Sequence, residues 1–267
     1  MTWSRFLTTT MFTAAVLTAA FIASTTPVAA QQSAAPLASA VPVVRLFELG
    51  IASGQTEAFD VAGRANISAS IQQEPGTRAM YAVTQPGDAQ RAYVLEVYTD
   101  AAALAAHTAS VHFKQFLADT QSAITTKRLI EVQPQFVREQ PAPLAVTGPT
   151  RAPLVRMARI SVHPQYVADY RRIVMWEMQR TMDVEPGVLA MIAVTLKGQP
   201  RQWVFFEVYA DQAASDAHRQ TAHFRAYVDQ TRDMVAAREL IDLRPSTLMN
   251  KGGLAFSADG APSQSSE

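Results

Sequence analysis

The sequence EVYADQAASDAH occupies residues 207–218, and a closely similar stretch, EVYTDAAALAAH, occupies residues 96–107. A His-Phe pair follows each stretch, His223-Phe224 in the later copy and His112-Phe113 in the earlier one. Equivalent residues are 111 positions apart (207 minus 96), and four of the five histidines of the chain fall in these two copies. A fixed spacing of this kind is typical of an internal duplication, so we expect two copies of one domain.

The duplication extends well beyond these stretches. Residues 74–84 align without a gap on residues 185–195, and both segments begin with Glu-Pro-Gly. Similarity at the same spacing continues towards both ends of each copy. We therefore predict one domain over residues 43–136 and a second over residues 154–247.

Two stretches outside the repeat have a different composition. Residues 137–153 contain four prolines and few large apolar residues, which is typical of a linker. Residues 248–267 are rich in Gly, Ser, Ala and Pro. Because such a segment offers little apolar surface for packing, we expect a disordered tail there.

Composition excludes several classes of function. The chain of 267 residues carries 23 basic and 23 acidic residues, and no block of Lys or Arg indicates a nucleic-acid partner. It has no cysteine, which excludes disulfides, thiolate metal sites and a cysteine nucleophile. Motifs typical of dinucleotide binding, P-loops, serine hydrolases and zinc proteases are also missing from the sequence.

The N-terminus has the features of a secretory signal. Arg5 precedes a mostly apolar run, and small residues at Val28-Ala29-Ala30 suit a signal peptidase. We predict a signal peptide over residues 1–30 and a flexible leader over residues 31–42, which implies a periplasmic or secreted protein with no membrane segment after cleavage. The alternative is an uncleaved anchor, for which the apolar run is short.

Each copy has the order strand, helix, strand, strand, helix, strand. The first strands are predicted at residues 43–51 and 154–162, and each hairpin is followed by an aspartate, Asp100 or Asp211, suited to cap the next helix. The βαββαβ order is the ferredoxin-like α+β pattern, in which two helices cover one face of the sheet. The other face also needs cover, so we expect the two sheets to pack face to face as an intramolecular pseudo-dimer.

Side chains alternate along a strand, so the predicted strand at residues 201–209 has two unlike faces. One face combines two aromatic rings with a carboxylate and a phenol: Trp203, Phe205, Glu207 and Tyr209. Such a face suits a half-apolar ligand pocket. The opposite face, Val204, Phe206 and Val208, is expected to be the one that the helices cover. In the first copy the mixed face becomes Ala92, Val94, Glu96 and Tyr98.

These polar residues also have structural interpretations. Glu96 and Glu207 could pair with Arg45 and Arg156 on the neighbouring strand, and both tyrosines could simply be packed. The two histidines of each copy are five residues apart, about 140° around a continuous helix. They would then not converge on one ion, so we expect no metal site; His112 and His223 either cap and pack or serve as pocket bases.

The motif Glu-Pro-Gly-x-x-Ala-Met-x-Ala-Val, followed by Glu-Val-Tyr-x-Asp, the spaced histidines and His-Phe, resembles the antibiotic biosynthesis monooxygenase (ABM) family, especially its quinol monooxygenase members. The resemblance implies ferredoxin-like domains paired as a dimeric α+β barrel, with a pocket between sheet and helices. It further implies oxidation of a quinol-like or polycyclic phenolic substrate by dioxygen without any cofactor. Haem degradation, found in related proteins, is discounted because Leu117 and Val228 stand where the haem-ligating histidine would be.

The resemblance also implies roles for particular residues. The base would be His223, His112, Glu207 or Glu96, and the hydrogen-bond donors would be Tyr98, Tyr209, Arg45 and Arg156, with both arginines contacting substrate. Aromatic residues would complete the substrate site: Trp203, Phe205, Phe224 and Phe113. Because its walls are aromatic, we expect copy two to hold the working pocket. The alternative is a non-catalytic ligand-binding or structural module on the same fold; further homo-oligomerisation stays open.

Overall fold

The computed structural model describes residues 41–148 and 153–260, so the predicted signal peptide and most of the leader lie outside the described residues. The first copy of the repeat, domain 1, has eight elements followed by a short strand. They are β1 (Val43–Ile51), α1 (Thr56–Gln73), β2 (Thr77–Gln85), β3 (Asp88–Tyr98), α2 (Ala101–Ala109), α3 (Val111–Asp119), β4 (Ile124–Ile130), β5 (Val132–Glu139) and β6 (Ala145–Thr147).

Domain 2 repeats this order and confirms the predicted βαββαβ pattern. Its elements are β7 (Leu154–Val162), a 3₁₀ turn (Pro164–Tyr166), α4 (Val167–Val184), β8 (Val188–Leu196), β9 (Gln199–Tyr209), α5 (Gln212–Gln220), α6 (Ala222–Thr231), β10 (Val235–Asn250) and β11 (Ala255–Ser257). No helix among the described residues is long and apolar enough to cross a bilayer.

The two domains are joined through exchanged strand halves. Within each domain the strand order is that of a ferredoxin-like sheet, β4-β1-β3-β2 in domain 1 and β10-β7-β9-β8 in domain 2. The second half of β10 leaves β7 and pairs with β2 of domain 1, and β5 pairs with β8 of domain 2. Only Glu131 separates β4, at one end of the strand order, from β5, at the other end. This connection closes the strands into a ring. The chain therefore forms the expected α+β barrel, in which the open edges of both sheets are paired.

The barrel interior is the shared core of the two domains. Val204, Phe206 and Val208 lie there with residues from the sheet of domain 1, and the rings of Phe206 and Tyr81 stack at 5.6 Å. The prediction that the helices cover this face of β9 was wrong. The helices of domain 2 cover the mixed face instead, and the fully apolar face is the one that two sheets can bury against each other.

The stretches outside the repeat contain more structure than their composition indicates. The predicted linker includes the end of β5 and all of β6, and the predicted disordered tail includes the end of β10 and all of β11. Leu248, in that tail, is fully buried, and β11 pairs with β5. These short segments form strands because they pair with the exposed edges of longer strands. The composition of a segment does not show whether such an edge is nearby.

Candidate functional site

A break in the second helical segment of each domain places its histidines. Asp100 caps α2, accepting a hydrogen bond from the Ala103 N–H at 2.8 Å, as predicted. The helix then stops, and Ser110 caps a new helix, α3, by accepting from the Phe113 N–H at 3.2 Å. Because α2 and α3 are separate, the 140° separation expected on one continuous helix does not apply.

The histidines of each domain converge on the glutamate of the Glu-Pro-Gly turn. In domain 1, Glu74 Oε1 lies 3.1 Å from His107 Nδ1 and 2.5 Å from His112 Nε2. Burial opposes ionisation of Glu74, but the hydrogen bond from Thr77 and the two imidazoles hold its pKa below the usual value. The turn glycine is needed for room, because a Cβ on Gly76 would clash with the Cβ of Ala103.

Domain 2 repeats this arrangement around Glu185. Its Oε1 lies 3.0 Å from His218 Nδ1 and 2.6 Å from His223 Nε2. The predicted bases His112 and His223 are thus partners of a carboxylate, and neither is among the residues that line the cavity of its domain. The motif glutamates, interpreted from sequence only as turn residues, organise both clusters.

Domain 1 contains a cavity of about 440 Å³ between its sheet and helices α1 and α3. Its walls are mainly apolar, with Phe47, Phe59, Val94, Phe113 and Phe116 among them. Two cations, Arg45 and Lys127, also line it. Its position between sheet and helices is the one that the family resemblance implies for a pocket.

Glu96 is the one carboxylate among the residues lining this cavity, and it is 6% exposed. Burial raises the pKa of Glu96, against the hydrogen bond that the Tyr98 hydroxyl donates at 2.9 Å and the charge of Arg45. Arg45 Nη1 lies 3.9 Å from Glu96 Oε2, so the structural pairing considered for this residue exists in domain 1. Burial beside Glu96 also raises the pKa of Tyr98.

The equivalent cavity in domain 2 is smaller, about 290 Å³, and more polar. Two bulkier side chains line this cavity, since Phe205 replaces Val94 and Val174 replaces Gly63, and behind Phe205 Trp203 replaces Ala92. The ring of Trp203 stacks on Phe205 at 5.7 Å and meets Tyr170 edge to face at 5.6 Å. The aromatic residues therefore fill space in domain 2, and the larger cavity lies in domain 1. Copy two was expected to hold the working pocket because of these aromatic residues, and the structure does not support that reason.

Comparison with known proteins places this fold. The profile of the antibiotic biosynthesis monooxygenase family matches residues 42–119 and 153–230, which together are more than half of the chain. The chain belongs to the ABM family. It contains two ABM domains in tandem, in agreement with the predicted duplication.

Solved structures resemble the whole tandem ABM chain. A proposed monooxygenase from Lactobacillus acidophilus NCFM is 24% identical, has a TM-score of 0.74, and aligns over 81% of this chain and 100% of its own. A proposed monooxygenase from Fusobacterium nucleatum is 23% identical with a TM-score of 0.74, over 82% and 98% of the two chains. At these identities the likeness establishes the fold. No curated protein sequence gave a significant match.

Most of the remaining predicted residues of the ABM domains line one of the two cavities. Arg45 and Phe113 line the cavity of domain 1, and Phe205, Glu207 and Tyr209 line that of domain 2 together with Arg156 and Phe224. Trp203 is not among the residues lining either of these cavities. Arg156 pairs with Asp242 at 2.9 Å and donates to Ser215 at 2.9 Å, whereas Glu207 accepts from the Tyr209 hydroxyl at 2.7 Å.

Sequence reasoning missed Glu177, which lies on α4 and lines the cavity of domain 2. It is 3% exposed, and burial raises its pKa to about 8, which the hydrogen bond from Thr181 only partly offsets. One signal could have found it. Glu177 lies on the same helical face as the apolar Val174 and Met178, where an acidic residue is unusual.

Proposed function

We propose that the cavity of domain 1 binds a quinol-like or polycyclic phenolic molecule and that the protein oxidises it with dioxygen. One observation carries the proposal: a single buried carboxylate, Glu96, lies in the wall of an otherwise largely apolar cavity of about 440 Å³. Membership of the ABM family and the fold shared with proposed monooxygenases support it. An aromatic ligand suits the apolar walls, and a phenol suits the lone carboxylate.

Glu96 is suited to act as the general base. A carboxylate removed from water has a raised pKa, so it is a stronger base towards a phenolic hydroxyl than an exposed glutamate would be. The Tyr98 hydroxyl, which donates to Glu96 Oε2, holds the carboxylate in place. Arg45 and Lys127 lie on the same cavity and would stabilise the phenolate that proton transfer leaves behind.

The chemistry balances with substrate and dioxygen alone. A hydroquinone that loses its proton is electron-rich enough to reduce dioxygen. One oxygen atom then enters the ring, the other leaves as water, and the organic product is a hydroxyquinone. The apolar walls would exclude water from the reacting atoms, which strengthens the interactions of the phenolate with the two cations.

The duplication provides a matched control for the test. Oxygen uptake would be measured with a panel of hydroquinones and anthrones, using wild type, Glu96→Gln and Glu207→Gln. General-base catalysis typically contributes about 10²–10⁴-fold, so Glu96→Gln is expected to lower kcat/KM by at least about 100-fold. Glu207→Gln is expected to change it by less than about threefold, because Glu207 lies in the other cavity.

A second pair of variants tests the cavity itself. Val94→Phe gives domain 1 the side chain of its counterpart Phe205 and should abolish uptake by filling the pocket, whereas Phe205→Val should leave uptake unchanged. Loss of activity from Glu207→Gln with Glu96→Gln unaffected would contradict the proposal. Binding of these phenols in domain 1 without oxygen consumption would instead identify a ligand-binding module.

A further inference from the structure

Glu177 and His218 both line the domain 2 cavity and lie near each other. His218 is one of the two histidines that contact Glu185. Glu177 Oε1 lies 3.8 Å from His218 Nε2, and both side chains are buried. This distance is too long for a hydrogen bond. Two ligands that each lie about 2.0–2.1 Å from one Zn²⁺ ion are about 3.4 Å apart at a tetrahedral angle, so the separation is close to that of two atoms sharing an ion.

The other side of His218 is arranged as in histidines that bind metals. His218 Nδ1 lies 3.0 Å from Glu185 Oε1. The other ring nitrogen, Nε2, is the one nearer to the Glu177 carboxylate. In many metal sites a carboxylate contacts one nitrogen of a histidine ring and so orients the ring, while the other nitrogen binds the metal ion.

His223 lies close enough to be a third ligand. One ligand atom from each of Glu177, His218 and His223 lies within 4.8 Å of the other two. Glu185 Oε1 also lies 2.6 Å from His223 Nε2, so the same carboxylate contacts both rings. Glu177 and His218 line the cavity, which leaves space for a further ligand on that side.

We propose that Glu177, His218 and His223 bind a divalent transition-metal ion, best matched by Zn²⁺, in domain 2 only. Two imidazoles and one carboxylate are a donor set typical of zinc, and a cavity beside them is typical of a site with an open coordination position. The inference does not rest on the oxidation proposed for domain 1.

Domain 1 lacks one essential ligand. Asn66 occupies the position equivalent to Glu177, and both its amide oxygen and His107 Nε2 are buried without a hydrogen-bond partner in the part of the chain that the structure describes. Glu74, His107 and His112 do lie close together, but Glu74 is already engaged by both imidazoles and by Thr77. A neutral amide is a weak ligand for zinc, so domain 1 is expected to bind it much more weakly.

The experiment compares the two domains within one chain. Protein purified without a polyhistidine tag would be stripped with a chelator, dialysed against Zn²⁺ and assayed for bound metal, with Co²⁺ as an optical probe. Wild type should hold one ion per chain. Glu177→Asn, which copies domain 1, should weaken binding by at least about 100-fold, since even outer-shell partners of a metal site contribute 10–100-fold. Asn66→Glu should raise the stoichiometry to two.

Two controls make the result decisive. His163→Gln changes an exposed histidine outside both clusters and should leave the stoichiometry at one. Thermal unfolding should show a zinc-dependent rise in Tm for wild type that Glu177→Asn loses, with apo Tm values reported for each variant. No tightly bound zinc in wild type, retention of the ion by Glu177→Asn, or two ions in wild type would each overturn the proposal.

Discussion

At the scale of single residues, the buried glutamates illustrate how environment sets the task of a carboxyl group. Among the described residues, Glu96, Glu139 and Glu177 are buried. Glu139 belongs to neither cavity. It lies on β5, where its Oε1 accepts from the Tyr81 hydroxyl at 3.3 Å and its Oε2 has no hydrogen-bond partner within residues 41–148 and 153–260. Burial raises its pKa to about 7, although Arg78 opposes the shift.

Glu139 should therefore make folding stability depend on pH. Its folded pKa of about 7 exceeds the usual value of 4.5, so between these two values the folded state holds one more proton than the unfolded state. Stability should then fall as pH rises through this window. Glu139→Gln removes this titrating carboxyl group. The free energy of unfolding of the variant, relative to that of wild type, should therefore increase by about 2–3 kcal/mol from pH 5 to pH 8.

Urea unfolding at both pH values would measure this difference. Glu131→Gln is the matched control, because that exposed glutamate pairs with Lys197 at the surface, and the stability of this variant relative to wild type should be almost independent of pH. The same offset between Glu139→Gln and wild type at pH 5 and pH 8 would show that Glu139 does not titrate as described.

At the scale of elements, the break between two short helices creates both His-Glu clusters. Ser110 in domain 1 and Thr221 in domain 2 hold the break by capping the second helix. A hydroxyl at this position accepts a backbone N–H that would otherwise lack a partner. The cap thereby allows His107 and His112 to face one carboxylate from two different helices.

Ser110→Ala should cost about 1 kcal/mol of unfolding free energy through loss of this cap, while Ser110→Gly should cost only a few tenths. Chemical denaturation followed by far-UV circular dichroism would give both values. Thr108→Ala, two residues earlier on an exposed face of α2, is the control and should cost less than Ser110→Ala. Equal costs for the two alanine variants would argue against a capping role.

At the scale of the whole molecule, the exchanged strand halves make one core out of two domains. Leu46 from domain 1 and Phe206 from domain 2 belong to the same buried cluster inside the barrel. Because β10 pairs with strands of both domains, neither sheet keeps its edge partners if the other unfolds. The two domains are therefore expected to unfold together.

Leu46→Ala tests this coupling. Leu46 is 1% exposed, and truncating it should cost about 2–5 kcal/mol. Trp203 is buried in domain 2, so in a background where Trp3 and Trp176 are replaced by Phe its fluorescence midpoint in urea should fall together with the circular dichroism signal of the whole chain. Val61→Ala, on an exposed part of α1, should leave both midpoints in place. A Trp203 transition that does not move in Leu46→Ala would mean that the domains unfold independently.

Much of this architecture follows from local sequence. The repeat spacing predicted two domains, alternation and turn residues predicted β1 and β7 at their observed bounds, and Asp100 and Asp211 predicted helix starts that the structure confirms. These features depend on neighbouring residues, because capping, turn geometry and side-chain periodicity act within a few positions of the chain.

Tertiary structure alone decided the rest. The alternation of side chains shows that Trp203 and Val204 lie on opposite faces of β9, but not which face the helices cover. That depends on which face packs against the sheet of the other domain. The size of the domain 2 cavity depends on how Trp203 and Phe205 pack beside α4. The sequence shows that these side chains are large, but not whether they line a cavity or fill it. Glu74 and Glu185 join their histidines over more than thirty residues of chain, and Glu177 meets His218 from another helix. Such contacts arise only when distant elements pack together, so the sequence predicted the fold more fully than the site.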